Sequence, residues 1–142
     1  MYTSDTDILK KRGLRYLAAA AIVAAAGGVY EYFSHGVWSN YMAFAFMVPL
    51  LAGAVPNFLA ASLGNKKRAG RTGSAAAGLQ LAAVATLTMG SIMKGVLEIY
   101  GTTNHLMTVY PVAGLALLAA ALMAFALQSR KLSAEPSGQE RI

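Results

Sequence analysis

Charged side chains divide this chain into four long uncharged runs, and no other feature restricts its fold so severely. No Asp, Glu, Lys or Arg lies between Arg15 and Glu31, Glu31 and Lys66, Arg71 and Lys94, or Glu98 and Arg130. A helix crosses a hydrocarbon layer of about 30 Å with roughly 20 mostly apolar residues, so each run with its flanks holds one crossing. Of the 142 residues, 56% are apolar and 13% charged, against roughly 25% charged in soluble proteins. Turn-forming residues punctuate the longer runs: Ser34, Gly36, Ser39 and Asn40, then Gly101, Thr102, Thr103 and Asn104. The pattern predicts an all-α integral membrane protein, a four-transmembrane-helix bundle with helices over 14–33, 41–63, 74–100 and 107–128. An N-terminal segment 1–13 precedes the membrane domain 14–128. The tail 129–142, poor in apolar residues and containing Ser133, Pro136, Ser137 and Gly138, is expected to be disordered.

Orientation follows from Lys and Arg, which stay on the cytoplasmic side when they lie near helix ends. Lys10, Lys11, Arg12 and Arg15 precede helix 1, Lys66, Lys67, Arg68 and Arg71 fill the second connection, and Arg130, Lys131 and Arg141 follow helix 4. In a four-crossing arrangement only Lys94, of 12 basic residues, falls on the other side. Both termini are therefore expected in the cytoplasm and the protein in the plasma membrane. Topogenesis and anionic lipid headgroups account for the net charge of +6 and the pI near 9.8. No stacked aromatics interleave with the basic clusters, so a nucleic-acid partner is not expected. The basic stretch before helix 1 superficially resembles a signal peptide, but the run continues into Tyr30 and Glu31 and reads as a retained crossing. With no cysteine, thiolate chemistry is excluded.

An internal repeat is suggested by the outer ends of helices 1 and 3. Gly28, Val29, Glu31 and Phe33 align without gaps to Gly95, Val96, Glu98 and Tyr100, Asn40 and Asn104 close the two loops, and Pro49 and Pro111 fall in the helices that follow. Two hairpins of the same direction would form a parallel repeat. Small residues let membrane helices approach closely. On that ground Ala20, Ala24, Gly27 and Gly28 of helix 1 are expected to meet the stripe Gln80, Thr88, Ser91, Gly95 and Glu98 of helix 3.

The ionisable groups remote from the cytoplasmic ends are Glu31, His35, Lys94, Glu98 and His105. Glu31 lies roughly 24 Å beyond Arg15 at 1.5 Å per residue, near the outer boundary of the hydrocarbon. A charge in mid-membrane costs on the order of 2.5–3.5 kcal/mol and less near the interface, which favours burial with a partner. Lys94 and Glu98, four apart on one face, are expected to hold an ion pair with Glu31 at the same level. Such a cluster either orders the outer end or forms a cavity, walled by Tyr30, Trp38 and Tyr100, that takes a small solute or a cation. Tyr32, Tyr41 and Tyr110 stand at the same level, where most of the aromatics are expected to form an interfacial belt and a few could wall the pocket. Glu31 and His35 at i, i+4 could form half of a metal site; no cofactor is predicted. No G-x-S-x-G, H-E-x-x-H or Walker loop occurs, and the basic stretch Gly64 to Gly73 lacks phosphate-loop spacing. The expected role is a transport component or the membrane subunit of a larger complex, with lipid, a small solute, a membrane-protein partner or a second copy as partners. A lipid-active or redox enzyme, haem- or metal-binding, with Glu31 and His35 as acid and base, is the alternative.

Overall fold

The computed structural model describes residues 3–62 and 74–134. The basic connection from Lys66 to Arg71 and the tail from residue 135 lie outside the described residues. Among those described, the chain is all helical, without strands: α1 (Thr3–Phe33), α2 (Asn40–Ala43), a π-helical turn (Pro49–Ala54) leading into α3 (Val55–Ser62), α4 (Ser74–Ile99), a 3₁₀ turn (His105–Thr108) and α5 (Val109–Ala134). Among the described residues three stretches, Thr6–Phe33, Ala75–Ile99 and His105–Gln128, are long and apolar enough to cross a membrane.

Glycines key each interface and fix its direction. The Phe58 ring lies over Gly13, 3.0 Å from where a Cβ would stand, Tyr16 packs on Gly53, and Gly27 faces the Met42 carbonyl. Those pairings run in opposite senses, so α1 is antiparallel to the segment from α2 through α3. Met42 also packs on Gly95, while Tyr110 covers Gly90 and Leu87 covers Gly114, which makes α4 antiparallel to both its neighbours. The result is an up-and-down row in chain order, in which α5 packs on α4 and α1 packs on the α2–α3 segment. The buried apolar side chains are mostly alanines, among them Ala20, Ala45, Ala54, Ala76, Ala83 and Ala121. Large side chains such as Ile22, Leu115 and Leu122 point outward, as suits helices that associate through close backbone approach.

The row corrects one expectation about packing. The small-residue faces of α1 and α4 do not meet directly; Met42 stands between Gly27 and Gly95 and touches both. The polar stripe of α4 accordingly serves the α2–α3 segment. Gln80 donates to the Ala52 carbonyl at 2.9 Å and Glu98 accepts from Ser39, while the buried Thr88 hydroxyl returns to Val84 of its own helix at 2.7 Å. Gly28, which the repeat aligns with Gly95, has open space around it. The two prolines differ as well. Pro111 sits in the first turn of α5, where a missing N–H is harmless, whereas Pro49 opens the π-helical turn.

Instead of one helix over 41–63, the second apolar run is broken. Met47 and Val48 donate three residues back, to Phe44 and Ala45 at 3.0 and 3.3 Å, and Val55 then donates five back, to Leu50. This switch from tight to wide winding coincides with Pro49, which cannot donate. Pro56 leaves the Ala52 carbonyl without its α-register donor, and the Gln80 amide fills that place. Asn57, also buried, donates to Gly53 at 2.7 Å. Irregular backbone at membrane depth is tolerated where such groups satisfy it.

Two helices are longer than expected. α1 starts at Thr3, not 14, since its early turns have a partner: Leu9 is buried and Gly13 carries the Phe58 ring. α5 runs to Ala134, beyond 128, through Arg130, Lys131 and Leu132, good helix formers with no Gly or Pro among them. α4, by contrast, spans nearly the expected residues.

Candidate functional site

The site lies where α4 ends and the chain turns into α5. Gly101 adopts a left-handed conformation with φ 70°. Thr102 donates its N–H to Leu97 at 3.0 Å and Gly101 to Glu98 at 3.1 Å, the paired closure of a glycine-terminated helix. Asn104 then caps the 3₁₀ turn by accepting from the Leu106 N–H at 3.0 Å. These two devices hold the connection close to the end of α4 and leave a cavity of about 300 Å³ beneath it. Lys94, Glu98, Thr102, Thr103, His105 and Thr108 are among its lining residues.

The start of α2 and the residue before it reach this cavity through two hydrogen bonds. Ser39 is completely buried, and its hydroxyl donates to Glu98 Oε2 at 2.6 Å. A serine preceding a helix usually caps it, but Ser39 makes no cap bond because its hydroxyl is turned to α4. Two residues on, the Tyr41 hydroxyl accepts from Lys94 Nζ at 2.9 Å, and the same nitrogen lies 4.0 Å from the ring centroid. Lys94 is thus held by a phenol and not between two carboxylates. The expected Glu31–Lys94–Glu98 ion pair is absent among the described residues.

The structure divides the residues expected at the outer end. Lys94, Glu98 and His105 share the cavity; Tyr30, Glu31, His35, Trp38 and Tyr100 do not line it. Tyr30 and Tyr100 lie beside each other. Trp38 is 69% exposed. Glu31 Oε1 is buried with no hydrogen-bond partner, while the backbone carbonyl of Glu31 accepts from the Ser34 hydroxyl at 2.8 Å. His35 is exposed and has φ 57°. Since α1 stops at Phe33, Glu31 and His35 do not share a helix face and the half-site suggested by their spacing is not formed. No group of three or more His, Cys, Asp or Glu suited to a metal occurs among the described residues.

The sequence pattern does not single out Ser39, Thr102, Thr103 or Thr108 as lining or tethering residues, and it places Tyr41 only among the aromatics at that level. Their one legible signal was position, since all stand in or beside the turns that separate the apolar runs.

Chemically, the site presents an ammonium, a carboxylate, an imidazole and hydroxyls around a space open to one end of the row. Comparison with known proteins adds no analogy: no family model, no curated protein and no solved structure matches this chain.

Proposed function

We propose that this is a four-crossing integral membrane protein, with both termini cytoplasmic, that serves as the solute-recognising component of a transport system in the plasma membrane. The observation that carries the reading is the cavity of about 300 Å³ lined by Lys94, Glu98 and His105. It stands at the end of the row opposite Lys10, Lys11, Arg12, Arg15 and Arg130, and by the distribution of basic residues that end faces outward. Charges at a membrane boundary mark solute pathways when they border a cavity. The α2–α3 segment supports a fourth crossing, because Gln80 and Asn57 supply the hydrogen bonds that its irregular turns require.

A panel of amino acids, polyamines, sugars and inorganic ions tests the reading by thermal unfolding of the purified protein. At least one solute should raise the Tm of the parent and leave a pocket-filling Thr103→Trp variant unchanged. If no member of the panel protects the parent, or if both proteins respond equally, the pocket is not a solute site.

The exposed flank of α5 favours membrane-subunit assembly as a second reading. Among the described residues that helix packs chiefly on α4, and its apolar window is 11% buried. A partner there would co-purify in mild detergent and be lost on introducing a tryptophan at Ala116 or Ala120.

A further inference from the structure

Resting on the solute-binding reading of this pocket, we propose that its ligand is a small zwitterion with a carboxylate and an ammonium on a short skeleton. Lys94 and Glu98 stand one helical turn apart, the spacing at which Lys and Glu ordinarily pair. Here they are kept from each other. Lys94 Nζ donates to Tyr41 at 2.9 Å, and Glu98 Oε2 accepts from Ser39 at 2.6 Å. Both tethers come from one short stretch of backbone, so a single element holds the two charges apart.

Each charge retains unused capacity toward the cavity. An ammonium has three donors, and Tyr41 takes one; the carboxylate keeps Oε1. Both residues line the cavity of about 300 Å³, which is open to solvent. That volume suits a solute of a few carbons.

Charge balance selects among the ligand classes. A lone anion on Lys94 would leave Glu98 uncompensated, and a lone cation on Glu98 would do the same to Lys94. Both side chains are exposed, so the selection comes from like charges: a bound anion would lie beside the Glu98 carboxylate and a bound cation beside the Lys94 ammonium, each repelled at a few ångströms. A zwitterion satisfies both, its carboxylate on the lysine and its ammonium on the glutamate, with His105 and the Thr103 and Thr108 hydroxyls available for the skeleton. The face of Tyr41 is already taken by Lys94, which removes an aromatic platform for a ligand cation.

Trp38, the single tryptophan, adjoins Ser39 and provides the readout. The full-length protein in detergent is titrated with β-alanine and glycine betaine as zwitterions, propionate and propylammonium as single-charge analogues, and glycerol as the uncharged control. At least one zwitterion should change Trp38 emission saturably and raise the Tm. The three controls should bind about tenfold more weakly or worse. Glu98→Gln, which keeps an acceptor for Ser39, and Lys94→Met should each weaken the zwitterion by a similar factor. Tight binding of a control, lost in these variants, overturns the zwitterion but leaves a solute pocket. Zwitterion binding that survives both variants overturns the assignment to this site. If neither zwitterion binds, the proposal fails, and the broader panel with Thr103→Trp decides whether the pocket reading fails with it.

Discussion

Gly28 and Gly95 align in the sequence repeat but should respond oppositely to the same substitution. A Cβ at Gly95 would stand 2.9 Å from Met42 Cβ, 3.0 Å from its backbone nitrogen and 3.2 Å from its Cα. Comfortable carbon contacts lie near 3.5–4.0 Å, so α2 would have to retreat by several tenths of an ångström. Two of the three atoms are backbone, and no rotamer change relieves them. Overpacking of this kind costs about 1–3 kcal/mol. Replacing glycine by alanine in a helix returns about 1 kcal/mol, leaving Gly95→Ala destabilised by up to about 2 kcal/mol. Nothing lies within 4 Å of a Cβ at Gly28, so Gly28→Ala keeps the whole propensity gain. The two variants should therefore differ by about 1–3 kcal/mol, on opposite sides of the parent. Equilibrium unfolding in mixed micelles with increasing SDS, followed by helicity, measures both. Gly95→Ala should also disturb Trp38 emission, because α2 continues directly from the segment carrying Trp38 and Ser39. Equal stabilisation of the two variants would refute the placement of Met42 against α4.

Gln80→Leu should cost about 1–3 kcal/mol by stranding the Ala52 carbonyl, and adding Pro56→Ala should recover part of that loss by returning a backbone donor; strictly additive unfolding energies would contradict the assignment. Ser39→Ala removes a hydrogen bond to a carboxylate and should destabilise by about 1–2 kcal/mol, with a change in Trp38 emission; an unaltered SDS midpoint would mean the Ser39–Glu98 bond contributes nothing. His35→Gly relieves a left-handed residue and should stabilise by about 1 kcal/mol without affecting solute binding, and a loss of binding would place His35 in the site after all.

Much of the architecture was legible because charge is so costly in hydrocarbon. The positions of Glu31, Lys66, Arg71, Lys94, Glu98 and Arg130 delimit the apolar stretches, and the turn residues at 34–40 and 101–104 mark where the chain reverses. The interior of the second stretch was not legible. Pro49 and Pro56 remove two backbone donors, but whether a helix bends, tightens or widens at such points depends on outside partners such as Gln80. The site was legible by chemistry and not by pairing. Lys94, Glu98 and His105 were identifiable as rare polar groups at one end. Their partners, Ser39 and Tyr41, lie more than fifty residues away in sequence, on an element whose helical register the prolines alter. Charge attraction alone predicts a Lys94–Glu98 contact; the tethers to the 39–41 stretch override it. The aligned glycines misled for a related reason, since Gly27 and not Gly28 is the residue that meets Met42.

The central claim, an outward-facing pocket in a membrane-spanning row, can be tested with one measurement because the chain has no cysteine to confuse labelling. Single cysteines are introduced at Thr103 in the pocket and, as references, at Gly70 and Ser137, and intact cells are exposed to a membrane-impermeant maleimide. Thr103→Cys should label from outside, with β-alanine or glycine betaine slowing the reaction, while Gly70→Cys and Ser137→Cys should label only after permeabilisation. Labelling of Gly70→Cys or Ser137→Cys in intact cells, with Thr103→Cys protected until the membrane is opened, would contradict both the orientation and the outward site.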